Sequence, residues 1–211
     1  GGGAQGSVWR TDLCVLNLSG EAASAEVTFH RDNGDSASFF VFLEHGQQVV
    51  AGDVVAQMGP AGTGAIKIDA DQPLMICSRT YNAGTAGTFG LFLDGVQVRD
   101  AAAEGESVWL PQLRQNAFFR TNIGLANSGD VDARVRIFLF DASGNELVSR
   151  WRTLEPGAWT QFQEPFSRLA GRADIDTGYA KVEVASGNGV IAYASVIDNT
   201  TNDGTAITMK R

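Results

Sequence analysis

Lysine is scarce in this chain. Of its 16 basic residues only Lys67, Lys181 and Lys210 are lysine, a bias we read as genome composition rather than function. The net charge is −8 and the isoelectric point about 4.7. No surplus of positive charge therefore exists to hold a nucleic acid or an anionic membrane surface. No apolar run approaches the ~20 residues of a membrane-spanning helix, so membrane insertion is not expected. The opening Gly1-Gly2-Gly3-Ala4-Gln5-Gly6 has no initiator Met, basic segment or apolar stretch, so any secretion signal is expected to lie outside this sequence. His30 and His45 are the only histidines, and neither falls in a Cys–His pair or a metal-binding His spacing. No nucleophile elbow is present either. These absences leave little to build an active site from, and we expect no enzyme, no cofactor and no metal centre.

What the chain does have is 25 glycines and a hydrophobic content of 44%. Enough apolar material is present for a core, and the Val, Phe, Thr and Gly content favours strands and tight turns.

The sequence also repeats itself. Trp9-Arg10-Thr11-Asp12-Leu13 with Asn17 matches Phe119-Arg120-Thr121-Asn122-Ile123 with Asn127. Leu43-Glu44-His45-Gly46 matches Leu154-Glu155-Pro156-Gly157, and Ser78 to Asn82 matches Ser195 to Asn199. The matches keep their order, as a duplication with a few loop insertions would. The reading divides the chain into residues 1–100, a polar linker 101–106, and residues 107–211 with a lead-in strand, Ser107 to Leu113, that the first copy has no counterpart for. Residues 1–105 hold 5 basic and 12 acidic residues, whereas 106–211 hold 11 and 12, so the two surfaces differ.

Period-two alternation marks strands at Val27–Phe29, Phe39–Leu43, Arg134–Phe140 and Val190–Ile197. Asn33-Gly34 and Ser143-Gly144 lie at hairpin turns, where Asn-Gly is expected to supply positive φ angles. Only Asp53–Met58 and the segment around Pro165–Leu169 look helical. The expected fold class is all-β: two tandem immunoglobulin-like β-sandwich domains, each with one very short helix.

Phe119-Arg120-Thr121-Asn122-Ile123-Gly124, Ser78-Arg79-Thr80-Tyr81-Asn82 with Gly87-Thr88-Phe89-Gly90, and Ala194-Ser195-Val196-Ile197-Asp198-Asn199 resemble motifs of uncharacterised β-sandwich repeats in secreted bacterial proteins. The resemblance covers nearly the whole chain. It implies an extracellular, secreted or cell-surface accessory module with no catalytic residues. The expected role is structural, adhesive or assembly-forming, with protein partners (self or neighbouring domains). For the missing lead-in of copy one there are two readings, a truncated strand or an open edge, and an open edge would allow polymerisation into a filament by strand addition. The rival is a carbohydrate-binding accessory module, with a glycan partner stacked on Trp151 and Trp159.

Four residues repeat the motif, Arg10, Asn17, Arg120 and Asn127. A scaffold role is expected of them: arginines paired with buried acceptors, asparagines closing turns. Cys14 and Cys77 sit in opening and closing strands, and their counterparts by sequence, Gly124 and Ala194, are both small. Facing positions joined by a disulfide are expected, with two buried free thiols as the alternative. The oxygen-rich run Asp198 to Gly204 is weighed as a calcium loop against a solvated turn, and His30 and His45 are read as surface turn residues.

Overall fold

The chain's computed structural model describes residues 7–59, 62–84 and 87–211. The opening six residues lie outside that range. Among the described residues, fifteen strands, two short helices and one 3-10 turn at Val98–Asp100 follow in order. The fold is all-β, built as two compact units, Gly1–Gly95 and Val96–Arg211.

The first unit contains β1 (Trp9–Asn17), β2 (Ala23–Arg31), β3 (Ser36–Leu43), β4 (Gln48–Ala51), α1 (Val54–Gln57), β5 (Gly64–Ala70), β6 (Leu74–Gly84) and β7 (Gly87–Asp94). Its sheets run β4-β1-β6-β7 and β3-β2-β5, every pairing antiparallel. Leu13 and Val15 of β1 meet Val27 and Phe29 of β2 in one apolar cluster, with Val54 of α1 closing one end. Alternation decides which side chains enter it. Ala23, Ala25, Val27 and Phe29 are buried while Ser24, Glu26, Thr28 and His30 face outward.

The second unit contains β8 (Ser107–Gln115), β9 (Phe119–Asn127), β10 (Ala133–Asp141), β11 (Glu146–Leu154), β12 (Trp159–Gln163), α2 (Pro165–Ala170), β13 (Ile175–Ser186), β14 (Val190–Asp198) and β15 (Gly204–Thr208). Its sheets run β11-β10-β13-β8 and β12-β9-β14-β15. Strand for strand this is the order of the first unit with β8 added, and both units are β-sandwiches. The core is larger, with Val108, Leu110, Leu113, Ile123, Leu125, Ala180, Val182 and Val190 fully buried.

Three expectations are corrected. Residues 101–106 are not a solvated linker. Ala102 exchanges backbone hydrogen bonds with Val190 at 2.8 and 3.0 Å, and Gly105 donates to the Val184 carbonyl at 2.9 Å. Arg211 ties the same stretch down through Glu106 (2.8 Å) and the Ala101 carbonyl (3.0 Å). Small side chains let the segment lie flat on the second unit.

At the Asp32–Gly34 turn only Gly34 takes a positive φ, +90°. Arg31 pairs with Asp35 across a three-residue loop, and the Asp35 N–H donates to Asn33 Oδ1, so Asn33 serves through its side chain instead. Finally, Cys14 pairs with Cys77 on β1 and β6, whereas Gly124 pairs with Tyr193 on β9 and β14. The counterpart of Cys77 is thus Tyr193 and not Ala194. A one-residue slip in a strand exchanges its two faces.

Candidate interaction site

The repeated polar residues lie at the corners of the sandwiches. Asn17 is fully buried. Its amide donates to the carbonyls of Glu21 (2.7 Å) and Leu43 (3.0 Å), and its oxygen accepts from the Ser19 N–H and hydroxyl. Asn127 does the same at Val131 (2.8 Å), Leu154 (2.9 Å) and Gly129 (2.9 Å). Each asparagine locks the strand crossing from one sheet to the other. Asp12 and Asn122 hold the entrance of the short helix: the Asp53 N–H donates to Asp12 Oδ1 at 2.8 Å, and the Glu164 N–H to Asn122 Oδ1 at 3.3 Å. Asp53 and Glu164 both sit in the left-handed region, at φ +46° and +47°.

The two arginines differ. Arg10 is half exposed, 3.8 Å from Asp53. Arg120 is buried and donates to Asn199 Oδ1 (3.0 Å) and Asn202 Oδ1 (2.7 Å); burial lowers its pKa. The Asp198 to Gly204 run is held by these contacts. Asp198 Oδ1 accepts the N–H groups of Thr200 and Thr201 at 2.7 and 2.8 Å, which lowers the Asp198 pKa. Its oxygens serve the turn. Among the described residues no group of three or more His, Cys, Asp or Glu is placed to hold a metal ion.

Cys14 and Cys77 face one another as free thiols on the outer side of their sheet. Burial raises the Cys77 pKa, and a hydrogen bond with Cys14 adds to it. His45 accepts the Gly20 N–H at 3.1 Å, a turn contact. His30 is half buried beside Lys67 and Asp69, and burial lowers its pKa.

Trp151 and Trp159 are not brought together. Trp159 belongs to β12, in the β12-β9-β14-β15 sheet with Tyr193, whose pKa is raised by burial. Trp151 belongs to β11 in the other sheet and is 43% exposed. The arginines beside it in sequence, Arg150 and Arg152, pair with the core positions Ile137 and Val135 and so lie on the opposite side. Its own neighbours come from β10: Arg134 lies 4.4 Å and Arg136 5.5 Å from the ring centroid.

This outer face of β11-β10-β13-β8 is a continuous set of aromatic rings and cations. Arg136 and Lys181 lie over Phe138 at 4.6 and 4.2 Å, Phe140 stacks on Tyr179 at 4.8 Å, and Trp109 closes the row beside Tyr179 at 6.0 Å. Cation–π contacts of this kind fix the cations while leaving their N–H groups to solvent. The sequence reading missed the face, although the alternation Arg134, Arg136, Phe138, Phe140 against Val135, Ile137, Leu139 encodes it.

The second feature is an edge. In the second unit β13 is bordered by both β10 and β8. In the first unit β5 pairs with β2, and no described strand pairs with its other side. Ile66, Ile68, Leu74 and Ile76 are only partly buried there. Their counterparts by register, Ala180, Val182, Val190 and Ala192, are fully buried.

No protein-family model matches the chain, and no curated protein does. Among solved structures, the chain is similar to a protein from Thermotoga maritima designated 1070, at 16% identity and a TM-score of 0.40, over 50% of this chain and 92% of that one. An exo-chitosanase of Amycolatopsis orientalis, in complex with PNP-β-D-glucosamine, aligns at 12% identity and a TM-score of 0.18, over 92% of this chain and 25% of that one.

Proposed function

We propose that the chain is a non-catalytic assembly or adhesion module of a secreted or cell-surface bacterial protein, in which the first unit accepts a strand at the free side of β5. The observation that carries this reading is the contrast between the two units: the same sheet is bordered by β8 in one and, among the described residues, unbordered in the other. A strand edge presents unpaired N–H and C=O groups that a further extended segment satisfies. The donor is a preceding segment or a neighbouring chain, and serial donation links modules into a fibre. Lys67 and Asp69, both exposed and bridged at 2.9 Å, keep the edge from pairing indiscriminately.

The acceptor has a definite preference. Ile66 and Ile76 stand where the second unit has Ala180 and Ala192, so bulkier side chains line the acceptor than line the same sheets in the second unit. The donor strand is expected to carry small residues toward the core. The test is a pair of synthetic peptides, one with the sequence of residues 107–115 and one with alanine in place of its two leucines. Protection of β5 amides from hydrogen exchange, stronger with the alanine peptide, supports the reading. Unchanged β5 exchange with both peptides at millimolar concentration would falsify it.

A further inference from the structure

The register matches the outer face of one unit to that of the other, position by position. Glu26 on β2 pairs with Phe40 on β3 and with Asp69 on β5. The same position on β10 is Arg136, paired with Trp151 on β11 and with Glu183 on β13. The aromatic neighbour is kept and the central charge is inverted.

Each face is poorly satisfied by itself. In the first unit two carboxylates, Glu26 and Asp69, stand directly opposite each other, an unfavourable arrangement that the Lys67–Asp69 bridge relieves on one side only. Beside them Phe40 and Phe42 stack at 6.5 Å while 60% and 74% exposed. In the second unit Glu183 bridges Lys181 at 3.0 Å. Arg134 and Arg136 have no carboxylate within ion-pair distance among the described residues. Arg136 donates to the Ser149 hydroxyl at 2.8 Å. An acidic aromatic face and a basic aromatic face thus exist on one chain.

We propose that these faces are partners between copies: the Glu26–Phe40–Phe42 face of one copy docks on the Arg136–Arg134–Trp151 face of another. Glu26 meets Arg136, a geometry suited to a bidentate guanidinium–carboxylate pair, and Phe40 meets Trp151. The contact is heterologous, so it leaves an unused face at each end and propagates unless the rotation closes a ring. It uses sheet faces and is independent of strand donation at β5. Strand spacing makes each face roughly 15–20 Å on a side. Such a contact is at the small end of specific interfaces, hence weak and salt-sensitive.

Sedimentation velocity of the whole chain tests this, from ~10 to several hundred micromolar. Association is expected to rise with concentration at low salt and to fall in ~0.5 M salt, where the Debye length is only a few ångströms. Glu26→Arg and Arg136→Glu should each weaken it about tenfold, the effect of losing one close charge pair. The double variant Glu26→Arg/Arg136→Glu should recover most of it, because the charges are exchanged and not removed. Circular dichroism verifies folding, and Phe40→Ser is a second route that leaves the charges alone and should also weaken association. A monomer at every concentration, indifference to the single reversals, or a double variant that stays monomeric each overturns the proposal. So does a monomer whose basic face is retained on a sulfated polysaccharide matrix and released by Arg136→Glu, since the face then belongs to a polyanion. Association that persists with peptide-blocked β5 keeps it separate from the strand-acceptor reading.

Discussion

Replacing Asn127 by alanine should unfold the second unit under mild conditions. The side chain is 2% exposed and makes three hydrogen bonds of 2.8–2.9 Å, two donated to the carbonyls of Val131 and Leu154 and one accepted from the Gly129 N–H. Each is worth about 1 kcal/mol net, and a buried group left without a partner costs about 1–3 kcal/mol. Water can reach Val131, which is exposed, but not Leu154, which is buried. The sum is roughly 3–4 kcal/mol. For a unit of about one hundred residues this lowers the melting temperature by roughly 12–16 °C. Three of the four tryptophans, Trp109, Trp151 and Trp159, belong to the second unit, so fluorescence during urea denaturation reports chiefly on it. Asn127→Asp is the sharper variant, because it keeps the acceptor and turns a carboxylate oxygen toward two carbonyls. It should cost at least as much at neutral pH and less as the pH approaches the carboxyl range. A loss below about 1 kcal/mol for the alanine variant would show that the corner is not held by this side chain, and the scaffold reading of the repeated asparagines would fail.

Other consequences can be measured on the same protein. Glu164→Gly should raise stability by about 1 kcal/mol, since glycine adopts the +47° φ at no steric cost and the lost 3.6 Å contact to Arg168 is exposed; a lower urea midpoint would refute the assignment of strain. His30 has a lowered pKa when folded, through burial and then Lys67, so the unfolded chain binds its proton more readily. That term is absent above the ordinary value of 6.5 and destabilises as the pH falls below it. His30→Gln should flatten the stability profile there, and an unchanged slope counts against it. Mild oxidation should join Cys14 to Cys77, raising the first unit's stability by about 4 kcal/mol on the loop-closure estimate; thiols that remain titratable after oxidant treatment in the folded state would rule this out. Gly124→Ala should destabilise, because a Cβ there would lie 2.2 Å from the Tyr193 ring, and unaltered melting would contradict the close approach.

Much of the architecture follows from patterns that survive without coordinates. Strict alternation in β2 and β10 declares one buried face, and glycine-bearing turns at regular spacing declare the hairpins. The duplication locates one corner in each unit, because the same buried asparagine serves two carbonyls where β1 crosses to β2 and where β9 crosses to β10. Other features depend on register. The short strands β4, β12 and β15 have too few residues for alternation to emerge, and they are fixed by their neighbours. Residues 101–106 read as a linker because small polar composition does not distinguish a free segment from one laid against a sheet. Trp151 and Trp159 are eight positions apart, yet the turn between them carries the chain from one sheet to the other, and so the rings part.

The pairing of Cys77 with Cys14, and of Tyr193 with Gly124, shows why the faces were harder to read than the core. Alternation alone marks the buried side of a strand, whereas matching the outer faces of two copies needs the exact register, since a shift by one position exchanges inside for outside. The matched Ser78 and Ser195 suggest one alignment of β6 with β14, while the backbone pairing places Ser78 opposite Leu13 and Ala194 opposite Ile123. The pairings of β2 with β3 and of β10 with β11 make Glu26 and Arg136 the same position, each beside an aromatic ring. If the two copies served the fold alone, the exposed site would have no reason to couple an inverted charge to a retained ring. The coupling is a relation between surfaces, and the charge-exchange variants probe that relation directly.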